Sequence, residues 1–237
     1  MKNTKNKLVA IILSIVGILF FNSCDSKQIK DDQLKDAQNT EISPVTGVSN
    51  ENTEIIPVTG VFNEIDVKDQ NSAIKVFFTG DEKMKSTMRD LFFQDQNKWN
   101  PPVIYALSKV LFEQGYKDDA AMWFYIGQLR ARIDANICQD ETARGAVAIL
   151  NDKFGTINKY ALKDIKKLET IVKDAVAFVR KYEPTYDQRW INLHGMWAIN
   201  GIPKGKELSY PKEEWAAIKK KTIDKYHNDF VKYVLEK

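Results

Sequence analysis

Only two histidines, His194 and His227, occur in the 237-residue sequence, and neither has a second histidine, a cysteine or a carboxylate at metal-ligand spacing. No zinc site follows from them, and no cofactor is implied. A glycine-rich phosphate loop, a serine nucleophile elbow and a paired-cysteine motif are all missing. His227 sits among charged and aromatic residues near the C-terminus and reads as a boundary residue. His194 has richer company, in the run from Tyr186 to Trp197 that also holds Arg189 and Trp190. On a helix Trp190, His194 and Trp197 fall at intervals of four and three along one face. Such a face can line a cleft, or it can pack as a seam with a hydrogen-bonded histidine. A second polar cluster is Gln128, Arg130, Arg132 and Asp134. Arg130 and Asp134 stand one helical turn apart, the spacing of an i,i+4 ion pair. The alternative is an arginine patch for a carboxylate or phosphate, since guanidinium forks suit planar anions. Gln128, Arg130, Arg132, Asp134, Arg189, Trp190 and His194 are therefore the candidate interaction surface, and no catalytic set is assigned.

The elements that carry these groups read as helices. Pro101-Pro102 precedes Val103 to Gln114, where Ile104, Leu107, Leu111 and Phe112 mark one face and Gly115 ends the run. Asp118 or Asp119 caps a second helix reaching about Asn136, with Ala121, Phe124, Ile126, Leu129 and Ile133 turned inward. A link this short forces an antiparallel hairpin. A third helix is expected from Asp140 to about Lys153, weakened by Gly145. The clearest period lies in Leu162 to Tyr182, where Ile165, Leu168, Val172, Ala175, Val179 and Tyr182 share one face and lysines take the other. A shorter helix is expected over Asp187 to Ile199. The last runs from Pro211 to near Leu235 and buries Trp215, Ile223, Tyr226, Phe230 and Tyr233. Only Ala73 to Phe78 has strand character, and one strand makes no sheet. The expected fold is all-α: helical hairpins packed as one irregular domain over residues 71–237, which hold all five tryptophans. Within it, Tyr105 to Phe124 resembles a tetratricopeptide or Sel1-type hairpin, with Gly115 as turn glycine, Ala120 as small packing residue and Trp123 and Phe124 as second-helix aromatics. No second copy follows at a spacing near thirty-four. The resemblance implies helix-pair stacking of the sort that builds protein-binding surfaces.

The N-terminus sets the address. Lys2, Lys5 and Lys7 precede the apolar run Leu8 to Phe21, which gives way to Asn22-Ser23-Cys24. That order is a secretory signal, and as a helix the run spans only about 21 Å, short of the roughly 30 Å hydrocarbon core. Phe21-Asn22-Ser23-Cys24 resembles the lipobox of bacterial lipoproteins, with a small residue before the cysteine. The resemblance implies cleavage before Cys24, a diacylglyceryl group on its sulfur, and an anchor in the cell membrane or outer membrane with the domain on the extracytoplasmic side. Residues 1–23 are then the signal peptide, 24–70 a disordered tether and 71–237 the domain. Removing three lysines and no acid from 35 basic and 32 acidic residues leaves 32 of each, so the motive for a nucleic-acid partner disappears. With Cys24 acylated, Cys138 has no disulfide partner and reads as a small buried hydrophobe.

The tether is rich in Asp, Glu, Asn, Thr, Gln and Lys, with a single phenylalanine, and cannot bury enough apolar surface to offset its ordering entropy. It contains a tandem repeat: Glu41 to Glu51 recurs thirteen residues later as Glu54 to Glu64. Two copies are too few for a solenoid, and added length in a linker carries little penalty. The function expected from all this is a lipid-anchored interaction or accessory module whose partner is another envelope protein. An immunity-type or inhibitor lipoprotein is the first alternative. A cell-wall-acting enzyme using the Arg130 and His194 regions is the second. A pocket holding both His194 and a carboxylate would mark the enzyme, and an exposed apolar patch the interaction module.

Overall fold

The computed structural model describes residues 60–235. Cys24, the leader and the first copy of the repeat lie outside them. Nine α-helices follow one another among the described residues: α1 Lys68–Thr79, α2 Glu82–Gln94, α3 Pro101–Glu113, α4 Lys117–Ile137, α5 Gly145–Lys153, α6 Gly155–Ala161, α7 Ile165–Lys181, α8 Trp197–Asn200 and α9 Lys212–Leu235. Short 3₁₀ helices at Gly60–Glu64, Glu141–Arg144 and Gln188–His194 complete the set, and no strand is present among these residues. The protein is all-α, as its sequence pattern implies.

The hairpin of α3 and α4 forms as expected, except that α4 begins at Lys117 without a side-chain cap, so Asp118 and Asp119 lie in its first turn rather than capping it. The Asn100 side chain accepts from the Val103 amide, and Pro101 occupies the first turn, where its missing N–H costs nothing. Gly115 ends α3 at a φ of 91°. The Tyr116 amide then reaches back to the Leu111 carbonyl and the Gly115 amide to Phe112, a Schellman cap that only a residue at ease with positive φ closes cheaply. The two helices run antiparallel, with Tyr105 edge-on to Phe124 at 5.3 Å between centroids. Their axes come close because Gly127 has no side chain: a Cβ there would lie 3.2 Å from Ile104 and 3.3 Å from Tyr105.

Helix α4 is the centre of the molecule. It packs against α3, α6, α7 and α9 at once, so its buried residues run most of the way around: Trp123, Tyr125 and Gln128 are buried as well as Phe124 and Leu129. Helix α7 lies at the surface instead. It begins at Asp164, whose carboxylate accepts from the Lys167 amide, and buries Leu168, Val172, Ala175 and Val179 as the period predicts, with Ile165 packed at the core margin. Tyr182, the last residue of that series, is exposed. Helix α9 starts just after Pro211 and lays Trp215, Tyr226 and Phe230 over the core, with Ile223 fully covered.

Four expectations of element type or boundary need correction. Ala73 to Phe78 is not a strand but the second half of α1, where Gln70, Ala73 and Phe77 form one buried helical face. Packing against α3 overrides the local β preference of Ile, Val and Phe. The domain starts near residue 60 rather than at 71. Phe62 and Ile65 form a small core with Leu208, and Gln70 donates to the Lys98 carbonyl at 3.0 Å while accepting the Asn100 amide at 3.0 Å. Finally, Asp187 to Ile199 is not one helix. The segment is 3₁₀ over Gln188–His194, extends at Gly195 and resumes as α8. The helix expected from Asp140 likewise starts as a 3₁₀ turn capped by the Asp140 carboxylate and becomes α5 at Gly145.

Candidate functional site

The two polar clusters of the sequence meet where the C-terminal half of α4 passes the 3₁₀ segment Gln188–His194. Asp134 joins them. Its carboxylate, 1% exposed, accepts from the Gln188 amide at 2.7 Å on one oxygen. The other oxygen takes the Trp190 indole N–H at 2.7 Å and the Tyr186 hydroxyl at 2.9 Å. Burial pushes the carboxyl up to about 7, while the hydrogen bonds from Gln188, Trp190 and Tyr186 and the charge of Arg130 pull it back. Burial also drives the Tyr186 hydroxyl far above its usual range.

Arg130 does not pair with Asp134. Its guanidinium turns toward the loop before α3, donating to Asn97 Oδ1 at 2.8 Å and to the Gln96 carbonyl at 3.3 Å, and lies 5.4 Å from the centroid of the Phe178 ring. Its Nε has no hydrogen-bond partner among the described residues. Gln128 points another way, donating to Asn151 Oδ1 at 2.9 Å and accepting the Tyr226 hydroxyl at 2.7 Å. Tyr105 donates to the same Asn151 oxygen at 2.6 Å. Arg132 stacks 5.5 Å over the Tyr226 ring. The four residues of the first cluster thus leave α4 in different directions, because helices surround it. Gln128, Arg130 and Asp134 are interior, so they form no surface patch.

The second cluster separates as well. Trp190 is buried, and its ring meets His194 edge-on at 5.5 Å. His194 itself is exposed on its other side, has no hydrogen-bond partner among the described residues, and is held below its usual pKa by partial desolvation. Arg189 grips Asp187 through Nε and Nη2, the shorter contact at 2.8 Å, and reaches Glu64 at 3.4 Å. Trp197 lies beyond the break at Gly195, and its amide caps Asp140 Oδ2 at 2.9 Å. Only Arg189 and His194 of the seven candidates remain on the outside with part of their polar surface free, beside the half-covered Arg132.

A crevice opens beside Asp134, lined by Arg130, Asp134, Tyr182, Tyr186, Gln188 and Lys219, with a cavity volume of about 10 Å³. That is room for roughly one water molecule. Lys219, one of the lining residues, forms an ion pair with Glu183. His194 is not among the lining residues.

A second buried carboxylate, Asp140, enters the sequence reading only as the first residue of an expected helix. It accepts the Thr142 amide at 3.0 Å, the Thr142 hydroxyl at 2.5 Å and the Trp197 amide. Its oxygen sits so close to Gly195 that a Cβ there would lie 2.1 Å away. Cys138 is buried beside it, its thiol contacting Asn192 Oδ1 at 3.0 Å, and burial pushes the thiol up to about 11. Among the described residues no three His, Cys, Asp or Glu side chains converge as a metal site would need. The chain matches no family model, no curated protein and no solved structure.

Proposed function

We propose that the chain is a bacterial envelope lipoprotein, anchored by fatty acyl chains on Cys24, whose helical domain serves as a protein-interaction or accessory module. The anchor reading rests on the order of lysines, apolar run and Ser23-Cys24 in the leader. The preference for binding over catalysis rests on one observation. The near-neutral carboxylate of Asp134, the group best suited to acid–base work, is enclosed by three donors and faces a crevice with room for about one water. A substrate finds no space there, and the one exposed imidazole, His194, does not line it. Apolar side chains meanwhile stand outward on α2, where Met84 and Leu91, 56% and 47% exposed, share one face two turns apart.

Mass spectrometry of the chain purified from its native membrane tests the anchor. The expected N-terminus is an acylated Cys24, and an intact leader or an unmodified sulfur would sink the reading. For the module, photo-crosslinkers at Met84 and Leu91 should capture one common partner protein, which a Leu91→Asp exchange releases. Crosslinks concentrated at Arg132 and His194 instead would move the surface away from α2.

A further inference from the structure

Helix α8 and the loop after it leave a small surface without an assigned task. The helix has two sides. Trp197 and Ala198 turn inward over the core of Phe62, Ile65 and Leu208, together with Ile202. Met196, Ile199 and Asn200, spaced three and four residues apart, turn outward, and the two apolar side chains are 47% and 51% exposed. Gly201 breaks the helix at a φ of 84°. The chain then makes a β-turn, in which the Lys206 amide reaches the Pro203 carbonyl and Gly205 supplies the positive φ, 78°, that the third turn position requires. Lys204 and Lys206 are exposed on this turn, and neither joins an ion pair among the described residues. Glu207, next along the chain, is exposed, Glu64 is engaged by Arg189, Glu141 pairs with Arg144, and Asp140 is buried and takes the Trp197 amide.

The place of this surface is the second observation. The first described residues, Gly60–Glu64, carry Phe62 into the same small core that Trp197 and Ala198 cover, so the described chain begins at the α8 end of the domain. Whatever path residues 25–59 take, their contour cannot exceed on the order of 120 Å.

We propose that the outward face of α8 and the lysine turn after it seat on an anionic phospholipid surface, the one into which Cys24 inserts. The inference rests on the anchor reading above. Met196 and Ile199 stand beside a turn that carries two exposed lysines. They suit a shallow dip into the headgroup layer, where lysines meet lipid phosphates and the tether holds the weak contact at high local concentration.

The test uses the acylated chain from native membranes, carrying a fluorescent label at Asn200→Cys; Cys138 is buried and Cys24 is blocked, so only position 200 reacts. The chain is reconstituted through its own lipid into phosphatidylcholine vesicles with or without phosphatidylglycerol. With phosphatidylglycerol, nitroxide-bearing lipids should quench the label and aqueous iodide should not, whereas a label at Met84→Cys on α2 stays open to iodide. Lys204→Gln with Lys206→Gln should lower the ratio of seated to free domain by about thirtyfold, about fivefold for each lysine. Pure phosphatidylcholine should release the label in the same way. A label at 200 as open to iodide as the one at 84, or seating that ignores both lysines and lipid charge, overturns the proposal. Mass spectra of the same preparation keep the two readings apart. An unacylated Cys24 removes the anchor, whereas an acylated chain with an aqueous label at 200 removes the seating alone.

Discussion

Exchanging Asp134 for asparagine separates the two forces that act on the buried carboxylate. Burial lifts this carboxyl from its ordinary 3.8 to about 7, even with three donors and Arg130 opposing it. A carboxyl that binds its proton more tightly in the folded chain stabilises the fold fully below its unfolded value. That contribution is lost as pH rises through the folded value near 7. The gap corresponds to on the order of 4 kcal/mol, at about 1.4 kcal/mol per tenfold change in proton affinity. Roughly 3 kcal/mol of it falls between about pH 4.5 and 8. Asp134→Asn abolishes the titration while leaving the packing intact. Its oxygen can replace the one that accepts from Tyr186 and Trp190, and Gln188 can turn its amide to accept from the new NH₂. Urea unfolding of both proteins across this range gives a stability difference in which the other carboxylates cancel. The native protein's advantage over the variant should shrink by about 3 kcal/mol as pH rises. A difference that is flat, or that grows with pH, would mean that the hydrogen bonds outweigh desolvation, and the argument from burial would fail.

Gly195→Ala places a methyl 2.1 Å from Asp140 Oδ2 and 3.2 Å from Ala143 Cβ, forcing the carboxylate off the Thr142 and Trp197 amides. A loss of about 3 to 5 kcal/mol is expected in urea unfolding, and most of it should vanish in the Asp140→Ala background, where the clash is gone. Phe62→Ala should cost about 3 kcal/mol by the same assay, whereas Glu64→Ala, which breaks only an exposed contact to Arg189, should stay within about 0.5 kcal/mol. Cys138, buried and with its thiol pushed up to about 11, should resist a disulfide reagent at pH 8 for as long as the fold holds and react only at the rate of unfolding. Rapid labelling of the native chain at that position would contradict its burial.

Helix α7 was legible because it lies on the surface. One face is apolar and the other charged, and the period of Leu168, Val172, Ala175 and Val179 survives unaltered in the fold. The α3–α4 turn was legible because Gly115 answers a local backbone demand. Helix α4 misled for the opposite reason. Gln128, Arg130, Arg132 and Asp134 look like a solvent-facing stretch, since a buried charge is costly and rare. A helix packed on nearly all sides keeps little solvent face, so most of its polar groups find partners that no local window contains: Asn97, Asn151, Tyr186 and Tyr226. The seven candidate residues were therefore rightly seen as unusual, but most of them hold the fold together.

The N-terminal boundary turns on a single residue. The two copies of the repeat agree at Pro-Val-Thr-Gly-Val and at the Asn-Glu that follows, yet the first has Ser49 where the second has Phe62. The domain buries Phe62, and its neighbour Glu64 meets Arg189. Composition alone assigned both copies to the tether, because one phenylalanine hardly changes a polar average. Full burial of a phenylalanine is worth about 1.5 to 3 kcal/mol, enough to hold a short segment against a prepared surface, and serine has nothing comparable to offer. The second copy is thus tied into the fold by the one position at which the Val-to-Glu ends of the repeats diverge. The residues between Cys24 and Gly60, rather than those up to residue 70, set the longest distance at which an acylated Cys24 would hold the helical domain.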